Sequence, residues 1–166
     1  MVLSTNPEVE AVLQILGTVK DPEIDTVSIV DLGMVEKIET ENKNVTVTLL
    51  PTFLGCPALE IIRENTRKAV SELPGVGEVT VDFIYSPPWT SDRVTEQGRA
   101  GLKEFGIAAP PRHIEEDGSW HVDCPYCEST YVTMENIFGP TACRSILYCK
   151  NCKTPFEAMK PVSTLM

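Results

Sequence analysis

Four of the six cysteines in this 166-residue chain stand in two Cys-x-x-Cys pairs, Cys124-Pro125-Tyr126-Cys127 and Cys149-Lys150-Asn151-Cys152. About twenty residues separate the pairs, which is the spacing of a four-thiolate zinc site. A tetrahedral ion cannot take four ligands from one tight loop. Each pair offers two thiolates from one turn, and the stretch between them is long enough for a hairpin that brings the turns together. Pro125 tightens the first turn and Lys150-Asn151 the second, so that backbone N–H groups point at the sulfurs. Four thiolates leave no position for water, so the metal is expected to build structure rather than hydrolyse a substrate. A module this small buries little apolar surface, and metal binding would supply on the order of 10 kcal/mol of its folding free energy. Two disulfides, or free core thiols, are the competing reading.

Two further cysteines could carry chemistry. Cys56 lies between Gly55 and Pro57, at the expected N-cap of a long helix. Unpaired N–H groups and the positive end of the dipole lower a thiol's pKa there and favour the nucleophilic, metal-binding thiolate. Gly55 permits an unusual backbone angle beside it. The plainer reading is a weak cap in place of serine. Cys143 sits beside Arg144, which would favour its thiolate and let it receive or pass a metal. The plainer reading there is a small buried residue of the hairpin. Asp21, Glu23 and Asp31 form an acidic cluster in loops, and its weight depends on whether the fold brings it near Cys56. His113 and His121 read as surface residues, because four cysteines already complete the metal site. No Ser-His-Asp order, Gly-rich phosphate loop or placeable carboxylate pair is present, which argues against a self-sufficient enzyme.

The elements that must position these residues follow from periodicity. Asn6 can cap a helix that Pro7 begins, with Glu8 and Glu10 in its first turn. Its apolar stripe is Val9, Val12, Leu13 and Leu16, and Gly17 stops it. Val27 to Val30 suggests a short strand, and Asp31-Leu32-Gly33 a bend. Met34 to Ile38 and Val45 to Leu50 alternate around the polar turn Glu41-Asn42-Lys43-Asn44, which predicts a hairpin. A helix over Ala58 to Leu73 follows, with Leu59, Ile61, Ile62, Ala69 and Val70 as its apolar positions, and Pro74-Gly75 ends it. Val76 to Ile84 is a third strand, expected beside the hairpin. After Pro87-Pro88-Trp89, Thr90 or Ser91 can cap a further helix to Phe105, with Val94, Leu102 and Phe105 on its buried side.

This order predicts an α+β fold, a two-layer sandwich of a small mixed sheet with helices, plus a C-terminal zinc-ribbon β module. The expected division is an α+β domain over 1–106, a linker over 107–119 and the ribbon over 120–166. The chain is 42% hydrophobic with a formal net charge of −10. Four thiolates and one zinc ion would take the charge to about −12. That balance disfavours a binder of bare nucleic acid and suits a protein partner. No opening apolar run suggests a signal peptide and no span approaches a membrane helix. A reducing cytoplasm is therefore expected.

Three stretches in the first half go further. Asp21-Pro22-Glu23-Ile24, Val30-Asp31-Leu32-Gly33-Met34-Val35 and Pro51-Thr52-Phe53-Leu54-Gly55-Cys56-Pro57-Ala58 resemble the small α+β domain of iron–sulfur assembly factors, including the SufT-type proteins. The tail, through its two Cys-x-x-Cys pairs and Phe138-Gly139-Pro140-Thr141-Ala142-Cys143, resembles the zinc-ribbon end of the PaaD family of phenylacetyl-CoA epoxidase systems. Glu128 departs from that pattern, since ribbons of this kind often carry glycine after the second cysteine; it is expected to alter the turn but keep the four ligands.

The resemblance implies a role in aerobic phenylacetate breakdown, where a multicomponent di-iron monooxygenase epoxidises the ring of phenylacetyl-CoA. PaaD-type proteins do not hold the di-iron centre. Such a protein is expected to assist iron–sulfur cluster insertion into the reductase, with Cys56 at the family's characteristic cysteine and Asp21, Glu23 and Asp31 at its acidic positions. The expected cofactors are a structural zinc and a transient iron–sulfur cluster. Expected partners are protein components of the oxygenase and reductase, and a homodimer is admitted. A resident structural component of the oxygenase, a nucleic-acid-binding ribbon and a thiol oxidoreductase are the competing classes.

Overall fold

A computed structural model describes residues 7–112 and 114–162. It has the expected α+β architecture, in two compact units that divide between Trp89 and Thr90.

The first unit opens with helix α1, Pro7–Leu16, which buries Val9, Val12 and Leu16. The proposed Asn6 cap lies outside the described residues. The Gly17 N–H makes the last i→i−4 bond, to Leu13, and the Thr18 and Val19 N–H groups then bond three residues back, to Ile15 and Leu16, where the helix ends. Strands β1, Val35–Glu41, and β2, Asn44–Leu49, pair antiparallel. Asn42 and Lys43 both take positive φ, 50° and 73°, and make the two-residue turn that the twist of a hairpin favours. Helix α2, Leu59–Ser71, leads to strand β3, Val79–Phe83, which lies parallel to β2. The sheet order is β1-β2-β3. Helix α1 packs on β1 and α2, and α2 packs on β3. Val45, Val47 and Leu49 of β2 and Val81 of β3 are buried, while Thr80 and Asp82 are exposed. This alternation is that of a sheet with one wet face. Trp89 is buried and donates its Nε1–H to the Leu32 carbonyl at 2.8 Å, tying the end of this unit to the loop before β1.

Two expectations here are corrected. Val27 to Val30 is not a strand. One bridge joins Lys20 to Ser28, and Val27, Ser28 and Ile29 are buried consecutively. A run buried on every side anchors a loop and cannot alternate as a half-exposed strand does. In α2 the buried stripe is Ile62, Thr66 and Val70, whereas Ile61 is 51% exposed. Neighbouring positions on a helix differ by about 100°, so Ile61 and Ile62 cannot share one face.

The second unit begins with a 3-10 turn, Ser91–Arg93, followed by helix α3, Glu96–Phe105. The cap of α3 is Thr95, whose side chain accepts from the Gly98 N–H at 3.0 Å, and not Thr90 or Ser91. Val94 and Leu102 are buried as expected, but Phe105 is exposed. Strands β4, Ile107–Ala108, β5, Val132–Asn136, β6, Arg144–Cys149, and β7, Pro155–Met159, form a sheet in the order β4-β7-β6-β5. Neighbours pair antiparallel except β4 and β7, which run parallel.

The boundary expected at 106 and the linker expected over 107–119 therefore differ from the packing. Gly106 ends α3 in the left-handed region at φ 92°, and Ile107 and Ala108 are buried in the second unit's sheet. Pro110 is buried too, and its carbonyl accepts from Arg99 Nη1 at 2.7 Å. In the first part of that stretch Ala108 and Pro110 are buried, and Ala109 and Pro111 are half-buried. Residues 115–119 do form an exposed turn, closed by bonds between Glu115 and both Gly118 and Ser119. Among the described residues no helix is long and apolar enough to cross a membrane.

Candidate metal centre and thiol site

Cys124 and Cys127 lie on the loop before β5. Cys149 ends β6, and Cys152 follows on the turn into β7. Cys124 and Cys149 are buried among Val122, Leu147, Phe156 and Ala158, with Cys127 and Cys152 half-buried against the same cluster. The four sulfurs lie within 4.8 Å of one another, with Cys124 and Cys152 3.7 Å apart and Cys127 and Cys149 3.5 Å apart. These separations exceed a disulfide bond of about 2 Å, and the described cysteines form no disulfide. Bonds of about 2.3 Å from a central zinc place tetrahedral sulfurs about 3.8 Å apart, so the quartet fits such an ion. Among the described residues it is the one group of three or more His, Cys, Asp or Glu side chains close enough to share a metal.

The turns around the sulfurs are built alike. Glu128 and Lys153, the residues after the second cysteine of each pair, both take left-handed φ of 62° and 61°. Glu128 thus adopts the left-handed conformation that glycine commonly supplies. Its N–H bonds to the Cys124 carbonyl at 2.9 Å, and its carboxylate pairs with Lys103 of α3. The Cys152 N–H points at the Cys149 sulfur, 3.5 Å away. Burial pushes the Cys124 thiol up to about 11. The Asn151 amide, which donates to Cys127 at 3.5 Å, brings that thiol down to about 6. The Thr154 side chain holds Cys152 below the ordinary thiol range. A bound cation deprotonates a coordinating thiol outright, which would overcome the burial of Cys124. Thr154 was not singled out by spacing; its one signal is a hydroxyl two residues past the last cysteine.

Cys143 is half-buried, with its sulfur 3.2 Å from the Thr141 hydroxyl. Arg144 is buried and directs Nε to Thr141 Oγ1 and Nη1 to Glu157 at 2.6 Å. The four-sulfur group does not include Cys143. His121 is exposed, and His113 lies outside the described residues.

Cys56 is half-buried at the sheet end of the first unit. It is not the N-cap of α2, because that position belongs to Ala58, which makes no side-chain cap bond. The reason is local. Pro57 follows Cys56 in a turn closed by Leu59 N–H to the Cys56 carbonyl at 3.4 Å, and this turn delays the helix. A second turn, Phe53 to Cys56, precedes it, with Gly55 at φ 83° as the glycine there predicts. The direct dipole argument for a thiolate is weaker by that displacement.

The sheet brings three loops to the end where Cys56 sits. Val35 begins β1 opposite Leu49, the last residue of β2, and Leu49 also pairs with Phe83, the last residue of β3. The loop carrying Asp31 therefore enters where the Cys56 loop and Tyr85 leave. Leu50 N–H bonds to the Met34 carbonyl at 2.7 Å, and Ile84 N–H to the Leu49 carbonyl at 3.0 Å. Asp31 accepts from the Ser28 hydroxyl at 2.9 Å, and Asp21 accepts from the N–H groups of Glu23 and Ile24. Two of the three acids thus shape their own loops. Phe53, Leu54, Ile61 and Tyr85, on the loops and helix of this end, are exposed.

Comparison with known proteins separates the two units in the same way. Residues 9–81 match the iron–sulfur cluster assembly protein family, and residues 108–160 match the PaaD zinc beta ribbon domain. A protein of Escherichia coli K12, provisionally named as the D component of 1,2-phenylacetyl-CoA epoxidase, is 34% identical over 93% of each chain. The chain belongs to this PaaD family. The assembly-factor half is shared more widely. The Fe-S protein maturation auxiliary factor YitW of Bacillus subtilis is 34% identical over 56% of this chain and 91% of its own. SufT of Staphylococcus aureus, of the same description, is 33% identical over 49% and 93%. The crystal structure of a DUF59 domain from Bacillus anthracis superposes with a TM-score of 0.53 at 30% identity, covering 56% of this chain and 89% of that one. These two maturation factors are not named as catalysts, and the ribbon is what the PaaD family adds.

Proposed function

We propose that this chain is a non-catalytic maturation factor of a phenylacetyl-CoA oxygenase system, with Cys56 as its working thiol. The observation that carries the reading is the convergence of the Asp31 loop and the Cys56 loop at one sheet end, in a unit that matches iron–sulfur assembly proteins. The iron–sulfur cluster is cargo. The Cys56 thiolate replaces one ligand on the cluster, and a cysteine of the recipient displaces Cys56 in turn. Ligands exchange and no electron moves. Asp31 adds a carboxylate on the loop that reaches this end, and Asp21 and Glu23 lie earlier on the same loop. Cys124, Cys127, Cys149 and Cys152 hold a zinc ion whose contribution is the fold of the ribbon, and the ribbon docks the factor on its oxygenase or reductase recipient. Cys143 is left to packing in this reading, and the cytoplasm is the compartment that suits reduced thiols.

The test is Cys56→Ser in cells growing on phenylacetate. Loss of cluster from the oxygenase reductase, with the variant protein present at normal level, is expected. Full cluster content and unchanged growth would overturn the reading. The name of the Escherichia coli relative favours a second one, a component resident in the oxygenase. That reading predicts co-purification at fixed stoichiometry and normal cofactor content when the protein is deleted.

A further inference from the structure

Strand β5 is the terminal strand of the second unit's sheet. Its open side can be read from the ladder. Lys150 N–H bonds to the Tyr131 carbonyl at 2.9 Å, while Cys149 N–H turns away to the Thr154 carbonyl at 3.0 Å. Alternate residues of an antiparallel strand bond to opposite sides. Tyr131 and Thr133 therefore face β6, and the Val132 carbonyl and both backbone groups of Met134 face outward. The Val132 N–H is taken locally by the Thr130 carbonyl at 3.0 Å. A register irregularity between Met134 and Asn136 limits the regular edge to this short run.

Exposed apolar side chains lie on and beside this edge, among the polar residues Thr133, Glu135 and Asn136. Tyr131 is 62% exposed, Met134 43%, and Ile137 and Phe138, just past the strand, 50% and 71%. The charges that are present are placed in complement. Lys150 holds its ammonium 5.1 Å from the centre of the Tyr131 ring. Glu135 accepts from the Thr133 hydroxyl at 3.1 Å, so its carboxylate lies on the same face as Thr133 and Tyr131.

We propose that the β5 edge pairs antiparallel with the β5 edge of a second copy of this chain, about a two-fold axis at Thr133. In that register the outward N–H of Met134 meets the outward carbonyl of the second copy's Val132, and the symmetric bond forms in return. Met134 lies opposite Val132, an apolar cross-strand pair. Glu135 arrives beside the second copy's Tyr131 and Lys150, and the two-fold axis creates this contact of opposite charges twice. A foreign strand would satisfy the backbone groups equally well, but the Glu135 and Lys150 placement is self-complementary. The irregularity after Met134 keeps the contact short, so the dimer is concentration-dependent.

The test is sedimentation velocity on the full zinc-loaded chain over a concentration series. A reversible monomer–dimer equilibrium is expected. Glu135→Lys should abolish the dimer, and adding Lys150→Glu should restore it. Met134→Pro, which removes the outward N–H, should also abolish it, with far-ultraviolet circular dichroism verifying the fold. If that variant misfolds, the charge-reversal pair decides alone. A chain that stays monomeric at every concentration overturns the proposal, and so does a dimer that Glu135→Lys leaves unchanged. Neither result bears on the Cys56 test, which reads cluster content.

Discussion

The Leu50 N–H meets the Met34 carbonyl at 2.7 Å, one residue beyond the β1 and β2 ladder. This bond joins the segment that leads to Cys56 to the loop that carries Asp31. It extends the hairpin by one rung, so the two loops leave the sheet at the same point. Backbone pairing thereby starts the Cys56 segment beside the end of the Asp31 loop.

The second anchor of that end is Trp89. Its indole N–H bonds to the Leu32 carbonyl within the loop that carries Asp31, in a buried setting. Trp89→Phe removes the donor and leaves the carbonyl buried, which costs about 1–3 kcal/mol. Urea unfolding of the full chain should show this as a lower midpoint. Hydrogen exchange at 28–34 should speed up more than exchange in β2.

Removing the metal should unfold the ribbon and spare the first unit. The quartet contributes two of the ribbon's buried core positions, Cys124 and Cys149, so four uncompensated thiols cannot hold its turns. Chelation is expected to make residues 120–160 sensitive to protease while the helical circular dichroism of α1 and α2 persists. Cys149→Ser should reproduce this with less than one zinc per chain by elemental analysis.

Arg144 is 8% exposed and Glu157 32%, and their pair at 2.6 Å bridges β6 and β7. Glu157→Ala leaves a buried guanidinium with its main counter-charge gone. Breaking a buried pair costs about 3–5 kcal/mol, and the partial exposure of Glu157 places this one at or below the lower end. Thermal unfolding of the zinc-loaded protein should register the loss.

Glu128 offers a gain in stability. It holds a left-handed φ of 62° that glycine adopts without steric cost. Its pair with Lys103 is exposed on both sides and contributes little. Glu128→Gly should therefore raise the melting temperature of the zinc-loaded ribbon while its zinc content stays at one per chain. A fall in melting temperature would show that the Lys103 pair outweighs the backbone strain.

Local chemistry made much of this protein legible in its sequence. Two Cys-x-x-Cys pairs announce a four-sulfur centre because each pair is a single turn, and the distance between sulfurs within a turn depends on few dihedrals. The hairpin was visible in the alternation around Asn42-Lys43, and helix α1 in its stripe of Val9, Val12 and Leu16, since both are patterns of near neighbours. Tertiary structure decided what depends on distant pairing. Ile107 and Ala108 look like a tether until β7 lies beside them. Cys56 reads as a helix cap until the turn through Pro57 moves the cap to Ala58. Asp31 and Cys56 share a sheet end because β1 and β2 close on each other between Met34 and Leu50, and no periodicity within either loop encodes that closure.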